Sequence, residues 1–199
     1  MSTTATSLNL RAVLKTAITR GGLDARGTLV AGLAPSTKAM FVAAAAHERR
    51  RGVVLYVVPS DGDLEDAVAD ARFFLTSLEG LSAAAATAAV LPFPSHEVDP
   101  YRGLTPHVGV TSVRARALYA ITNGTARVVI ASASGLLPRV TAPDRLRRAA
   151  IELRPGHDVD IQDLAVQLVD AGFARQDPAD EQGEFAIRDR KSTRLNSSH

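Results

Sequence analysis

Val53-Val54-Leu55-Tyr56-Val57-Val58 is a run rich in β-branched residues that stops at Pro59. A run of this kind, without polar alternation, is typical of a strand buried on both faces of a parallel sheet. Three further apolar runs lie along the chain, at Thr28–Ala31, Ala89–Leu91 and Arg127–Ala131. The sequence therefore predicts four buried strands.

Segments with apolar residues at helical spacing separate these strands. They cover Leu8–Arg20, Ser36–Arg51, Asp61–Leu78 and about Val110–Ile121. Strands that alternate with helices of this length form a parallel sheet with helices on both faces. The predicted fold class is therefore α/β.

The predicted elements become shorter after Pro143. A helix near Ile161–Ala171 and an extended segment at Gly183–Arg188 predict a small, incomplete α+β domain. We predict three parts: an α/β domain in residues 1–148, the start of a second domain in 149–188, and a tail in 189–199.

The tail Asp189–His199 lacks apolar periodicity and resembles the in-frame translation of a common sequencing-adapter oligonucleotide. The whole chain has 23 basic and 21 acidic residues, and the tail contains three basic residues and one acidic residue. Without the tail the two charges balance, so a general nucleic-acid surface is not indicated. If the tail is foreign, the natural chain is cut after Arg188; the alternative is a genuine disordered basic tail.

Composition excludes several classes of chemistry. The 199 residues include no cysteine, which excludes disulfides, thiolate nucleophiles and cysteine-ligated metals. No apolar run approaches the roughly 18 to 20 residues of a membrane span. The N-terminus lacks the pattern of a signal peptide, so we expect a cytoplasmic protein with no membrane partner.

Isolated polar residues give weak signals of function. The histidines show no H-x-x-x-H spacing and predict no metal site. Ser95-His96-Glu97 lacks a G-x-S-x-G elbow and predicts no catalytic triad. We expect the arginine clusters at 49–51, 114–116 and 145–148 to be solvated.

Gly32-Leu33-Ala34-Pro35-Ser36-Thr37-Lys38-Ala39 occupies the place of a phosphate-binding loop, G-x-x-x-x-G-K-[ST]. A working loop needs its second glycine so that backbone N–H groups can surround the phosphates, and its hydroxyl to hold magnesium. Gly32 and Lys38 are present, but Thr37 replaces that glycine and Ala39 replaces the hydroxyl residue. The pattern predicts a degenerate loop with a solvated lysine; the alternative is a functional nucleotide site.

Five segments match the motifs of one family. They are Leu91–Tyr101 for F-P-x-W-E-x-x-P-Y, Gly103–His107 for x-x-S-P-H, Arg114–Tyr119 for R-x-x-x-L-Y, Leu164–Phe173 for L-x-x-L-G-Y, and Glu181–Arg188 for E-x-G-E-[FY]-A-x-R. The chain thereby resembles the N-terminal, UvrB-like module of bacterial transcription-repair coupling factors. One departure is His96, which stands in the place of the family's tryptophan.

The resemblance implies a module that has lost ATP hydrolysis, with no cofactor of its own and with ATP and magnesium bound in a distal motor. It implies that the parent displaces stalled RNA polymerase from DNA and recruits UvrA, which Arg188 would contact. Further UvrA-contact residues would lie beyond the cut, so this chain should bind UvrA weakly. The alternatives are an active P-loop ATPase related to UvrB and a free-standing α/β domain.

Overall fold

The computed structural model describes residues 9–21, 30–49, 51–98, 104–151, 153, 155–156, 158–181 and 183–188. The chain divides after Val140 into two compact units, each of which is described by itself. The first unit contains α1 (Leu10–Gly21), α2 (Pro35–Glu48), β1 (Val54–Val58), α3 (Leu64–Glu79), α4 (Ala83–Ala89), β2 (Val90–Phe93), α5 (Val108–Thr122) and β3 (Val128–Ser132). The predicted domain ranges stay a prediction.

Strands β1, β2 and β3 form a parallel sheet in the order β1-β3-β2. Val128 at the start of β3 pairs with Val54 on one side and Val90 on the other. All five residues of β3 are buried, because this strand has a neighbour on each side and helices against its faces. The predicted α/β class and parallel sheet are confirmed. The prediction that β1 is buried on both faces was wrong: Leu55 and Val57 are 53% and 45% exposed, because β1 has one neighbouring strand and α5 packs with β2 and β3 on that side.

The two faces of the sheet have separate apolar cores. On one face, small residues of α2, among them Ala39 and Ala43, let that helix approach α3, whose Leu75 is completely buried. On the other face, Ala117 and Ala120 of α5 pack with residues of β2 and β3. Small side chains on both sides thus allow the helices to lie close to their neighbours.

Strand β2 continues through Pro92, although the sequence predicted its end before this proline. Proline lacks an N–H group and is tolerated at a sheet edge. In a parallel ladder the backbone groups of alternate residues point to the same side. Arg127 N donates to Ala89 O, so Val90 and Pro92 direct their backbone groups away from β3 and out of the sheet.

One further prediction differs from the observed elements, and one observed helix was not predicted. Of the predicted strand at residues 28–31, Thr28 and Leu29 lie outside the described residues, and Val30 and Ala31 belong to no strand. Val30 is also 47% exposed, which does not fit a buried strand. Helix α4 was not predicted, because its alanine-rich sequence has no amphipathic periodicity.

The second unit contains α6 (Pro143–Ala149), α7 (Ile161–Asp170), β4 (Ala174–Arg175) and β5 (Glu184–Phe185). Asp160 caps α7 by accepting hydrogen bonds from the backbone of Gln162 and Asp163, at 2.7 and 3.0 Å. The two short strands pair in parallel. Among the helices that are described, none is long and apolar enough to cross a membrane.

Candidate functional site

The predicted phosphate-loop residues lie at the start of α2. Gly32 has φ +75°, a left-handed conformation that favours glycine. Thr37 is half-buried and the Lys38 side chain is exposed. Ala39 is completely buried in the apolar core. The position at which a working loop supplies its magnesium ligand is therefore part of the apolar core in this chain.

A second group of residues lies at the carboxyl ends of the strands, where ligands bind in open α/β sheets. It consists of Asp61, Ser95, Arg114, Ser132 and Gly135, which we call the strand-end cluster. Asp61 Oδ1 accepts a hydrogen bond of 2.8 Å from Ser95 N, and Ser132 Oγ accepts one of 3.1 Å from Gly135 N. No pattern in the sequence predicted this cluster.

Arg114 is the central side chain of the strand-end cluster. It is only 4% exposed, so the expectation that it is solvated was wrong. Its Nη1 donates to Pro94 O and, at 3.0 Å, to Gly135 O, and its guanidinium carbon lies 3.9 Å from the centre of the Phe93 ring. The signal in the sequence was its position three residues before Ala117, on the buried stripe of α5.

The electrostatics of the strand-end cluster favour an ionised, internally bonded state. Burial would raise the pKa of Asp61, but hydrogen bonds from Ser95 and Ser132 and the charge of Arg114 lower it below the usual range. Burial lowers the pKa of Arg114, an effect that the charge of Asp61 opposes. Each charged group thus already has partners within the protein.

Ser95, His96 and Glu97 do not assemble into a nucleophile and base. Ser95 Oγ accepts a 3.2 Å hydrogen bond from Glu97 N, and His96 Nδ1 is buried without a partner among the described residues. Burial, and next the charge of Arg114, lower the pKa of His96. Within the described ranges no group of three His, Asp or Glu side chains is placed to hold a metal ion.

A separate ionic network joins α2, α3 and the residue before β3. Glu79 accepts two hydrogen bonds from the guanidinium of Arg127, at 2.9 and 3.0 Å, and its Oε1 lies 3.1 Å from His47 Nδ1. Arg127 also donates to Ala46 O. Burial would raise the pKa of Glu79, but the bonds and charges of Arg127 and His47 lower it.

Glu79→Gln is expected to flatten the dependence of stability on acid pH. A carboxylate whose pKa is lowered on folding stabilises the folded state at pH values above its ordinary pKa of 4.5. This contribution is lost as the pH falls through the folded-state pKa. The measurement is the midpoint of urea unfolding, detected by circular dichroism, at pH values from neutral to about 3. Glu48→Gln, at an exposed position on α2, is the control. Identical pH profiles for the wild type and Glu79→Gln would contradict the prediction.

Arg188 is the predicted partner-binding residue of the second unit. Its side chain is exposed, and it follows the short strand β5 by three residues. Among the described residues, Arg188 has no hydrogen bond or ion pair that would fix the orientation of its side chain. Its role in binding stays a prediction.

The first unit is thus an α/β module whose parallel sheet carries internally bonded polar groups at its strand ends. Seven curated proteins match this chain in sequence. The transcription-repair-coupling factor of Bacillus subtilis is 27% identical over 165 residues, which cover 80% of this chain and 13% of that protein. That of Myxococcus xanthus is 31% identical over 136 residues, 67% of this chain and 11% of that protein.

The transcription-repair-coupling factor of Rickettsia typhi is 31% identical over 97 residues, 48% of this chain and 9% of that protein. No family model matches the chain. This chain is a relative of the transcription-repair-coupling factors, which confirms the resemblance predicted from its motifs. It spans about a tenth of the length of the curated relatives it matches.

Proposed function

We propose that the first unit is a non-catalytic, degenerate P-loop module of a transcription-repair coupling factor. The observation that carries this proposal is the complete burial of Ala39, at the position where a working loop presents its magnesium-binding hydroxyl. The strand-end cluster adds support, because its charged groups already bond to backbone groups of the protein: Asp61 to Ser95 N and Arg114 to Gly135 O. ATP and magnesium then belong to a distal motor of the parent protein.

For the second unit we propose a role in protein recruitment. By resemblance, the parent acts in the cytoplasm as an ATP-dependent translocase that displaces stalled RNA polymerase from DNA and recruits UvrA. Arg188 is the proposed UvrA contact in this chain. The exposure of its side chain supports this proposal, since a planar, permanently charged guanidinium suits an interface.

A nucleotide titration separates this proposal from an active P-loop ATPase. We expect no saturable binding of a fluorescent ATP analogue with magnesium below about 1 mM, because the loop lacks both its second glycine and its hydroxyl. The comparison is between the wild type, Lys38→Ala and a control, Lys15→Ala, at another exposed lysine. Micromolar affinity that Lys38→Ala abolishes and Lys15→Ala preserves would establish the ATPase alternative.

A binding assay with purified UvrA tests the recruitment proposal. We expect weak binding of the chain, reduced about tenfold by Arg188→Ala, because arginine is enriched among the few interface residues whose truncation costs more than about 1 kcal/mol. Arg175→Ala is the control, since this arginine is also exposed in the second unit. Biolayer interferometry gives the dissociation constants. Equal affinities for the wild type and Arg188→Ala would remove this residue from the proposed interface.

A further inference from the structure

A pocket of about 450 Å³ lies at the carboxyl ends of β2 and β3 in the first unit, and we call it the loop pocket. Its lining comes from the loop that follows β2, the residues that precede α5 and the loop that follows β3. The apolar part of this lining consists of Val98, Leu104, Pro106, Leu137 and Pro138. Ligands of open α/β sheets bind at this edge, in pockets of this size. The loop pocket therefore has the place and the volume of a binding site.

Two leucines leave a large apolar surface of the loop pocket in contact with water. Leu137 is 83% exposed and Leu104 is 57% exposed, although they belong to different loops. Exposed apolar surface that several segments contribute to one place is typical of an interaction site. Pro106 and Pro138 also line the pocket, and their fixed φ angles reduce the cost of ordering these loops on binding. An apolar group of a partner is therefore favoured here.

The hydroxyl groups in the lining already have partners within the protein. Ser95 Oγ accepts a hydrogen bond of 3.2 Å from Glu97 N, and Ser134 Oγ lies 3.3 Å from Ser132 Oγ. The loop pocket thus offers a ligand mainly apolar contacts.

Glu97 gives the loop pocket a negative charge. It is exposed, and among the described residues it forms no ion pair within the ordinary distance. His96 stays neutral at neutral pH, because burial and next the charge of Arg114 lower its pKa. Arg114 does not line the pocket, and it donates to Pro94 O and Gly135 O. A cationic group is therefore favoured beside Glu97.

The backbone of Glu97 is held in an unusual conformation. Its φ is +56°, and it is the one non-glycine residue in the described ranges with a positive φ. The hydrogen bond from Glu97 N to Ser95 Oγ stabilises this turn. Residues in such sparsely populated conformations cluster at binding and active sites, which supports a role for Glu97 in binding.

His96 also lines the loop pocket, and it stands where the motif F-P-x-W-E has a tryptophan. An imidazole is smaller than an indole, so this chain has space beside His96 that the motif's own residue would fill. Aromatic side chains bury a large area with few rotatable bonds and are enriched in binding hot spots. An aromatic side chain supplied by another protein fits this space.

We propose that the loop pocket binds an aromatic side chain of a partner protein, together with a basic residue close to that side chain which contacts Glu97. The site lies within the first unit and uses neither the degenerate loop nor Arg188. It is therefore independent of the proposed recruitment of UvrA, and either proposal can fail without the other.

The probes are blocked dipeptides, N-acetylated and amidated, with the sequences Trp-Lys, Trp-Gln, Trp-Glu and Ala-Lys. Saturation-transfer-difference NMR with the full chain gives their dissociation constants, because this method detects weak ligands. We expect Trp-Lys to bind with a dissociation constant on the order of 1 mM and Ala-Lys not to bind. Trp-Lys should bind roughly threefold more tightly than Trp-Gln, and Trp-Glu most weakly of the three, since Glu97 is exposed and its ion pairs are modest.

Two pairs of variants locate the site. Leu137→Ala is expected to weaken the binding of Trp-Lys at least threefold, whereas Leu136→Ala, at an exposed neighbour outside the lining, should not. Glu97→Gln should make Trp-Lys and Trp-Gln bind equally. Glu65→Gln, which removes the same charge at an exposed position of α3, should preserve their difference.

His96→Trp tests the space beside His96 directly. The introduced indole is expected to fill the loop pocket and to weaken Trp-Lys binding at least fivefold, while an unchanged urea midpoint shows that the variant folds. No saturable binding of Trp-Lys below about 10 mM would overturn the proposal. Equal binding of Trp-Lys and Trp-Glu would do so too, as would affinities that Leu137→Ala and a folded His96→Trp leave unchanged.

Discussion

Arg114→Ala is expected to lower the free energy of unfolding by about 4 kcal/mol. The substitution removes the donors to Pro94 O and Gly135 O and the cation that lies over the Phe93 ring. A buried acceptor that loses its donor costs roughly 1–3 kcal/mol, and the empty volume adds a packing loss. The measurement is urea unfolding followed by far-UV circular dichroism, because the chain contains no tryptophan.

Arg116→Ala is the matched control for this prediction. Arg116 lies two residues further on the same helix and is exposed, so its removal should change the free energy of unfolding by less than about 0.5 kcal/mol. Arg114→Lys should recover part of the loss, since an ammonium can bond one carbonyl but cannot reproduce the planar guanidinium. If Arg114→Ala and Arg116→Ala have equal urea midpoints, the strand-end cluster does not stabilise the fold.

Gly135→Ala is expected to cost about 3 kcal/mol of unfolding free energy. A Cβ atom at this position would lie 2.9 Å from Phe93 O, 3.1 Å from the carbonyl carbon of Pro94 and 3.0 Å from Ser132 Oγ. Two of these atoms belong to the backbone and cannot rotate away. The end of β2 and the residues after it must therefore move, and this shifts the hydrogen bonds of Pro94 O with Arg114 and of Ser95 N with Asp61.

Gly62→Ala provides the control for overpacking. Its added Cβ would approach only Ser60 Oγ, at 3.6 Å, which is an ordinary contact. We expect a change of less than about 1 kcal/mol for Gly62→Ala, measured by the same urea unfolding experiment. A Gly135→Ala variant as stable as Gly62→Ala would show that the strand ends accommodate the methyl group without cost.

The sequence was most informative for elements whose position and buried face follow from the pattern of neighbouring residues. The run rich in β-branched residues that became β3 is buried throughout, and the amphipathic pattern of α3 fixes its buried face. The similar run at β1 predicted the strand but not its exposure, which depends on its place at the sheet edge. The passage of β2 through Pro92 could not be predicted, because it depends on β2 lying at a sheet edge. Strand order is a property of long-range pairing, which single-sequence patterns do not encode.

The candidate site could also be predicted only in part. The degeneracy of the loop could be predicted from the residue types at positions 37 and 39, because the chemistry of a phosphate loop depends on specific side chains. The strand-end cluster could not, since Asp61, Arg114 and Ser132 are far apart in the sequence and meet only in the folded sheet. Arginine patterns alone do not separate a buried guanidinium from a solvated one.

The order β1-β3-β2 has a consequence for how the chain acquires its structure. The two outer strands have no pairing with each other, and both are held by the strand that comes last. During synthesis on the ribosome, neither of these strand pairs can form until Val128–Ser132 has emerged, whereas α2 and α3 come earlier and can already pack against each other. The earlier segments therefore depend on the arrival of one five-residue strand to become a sheet.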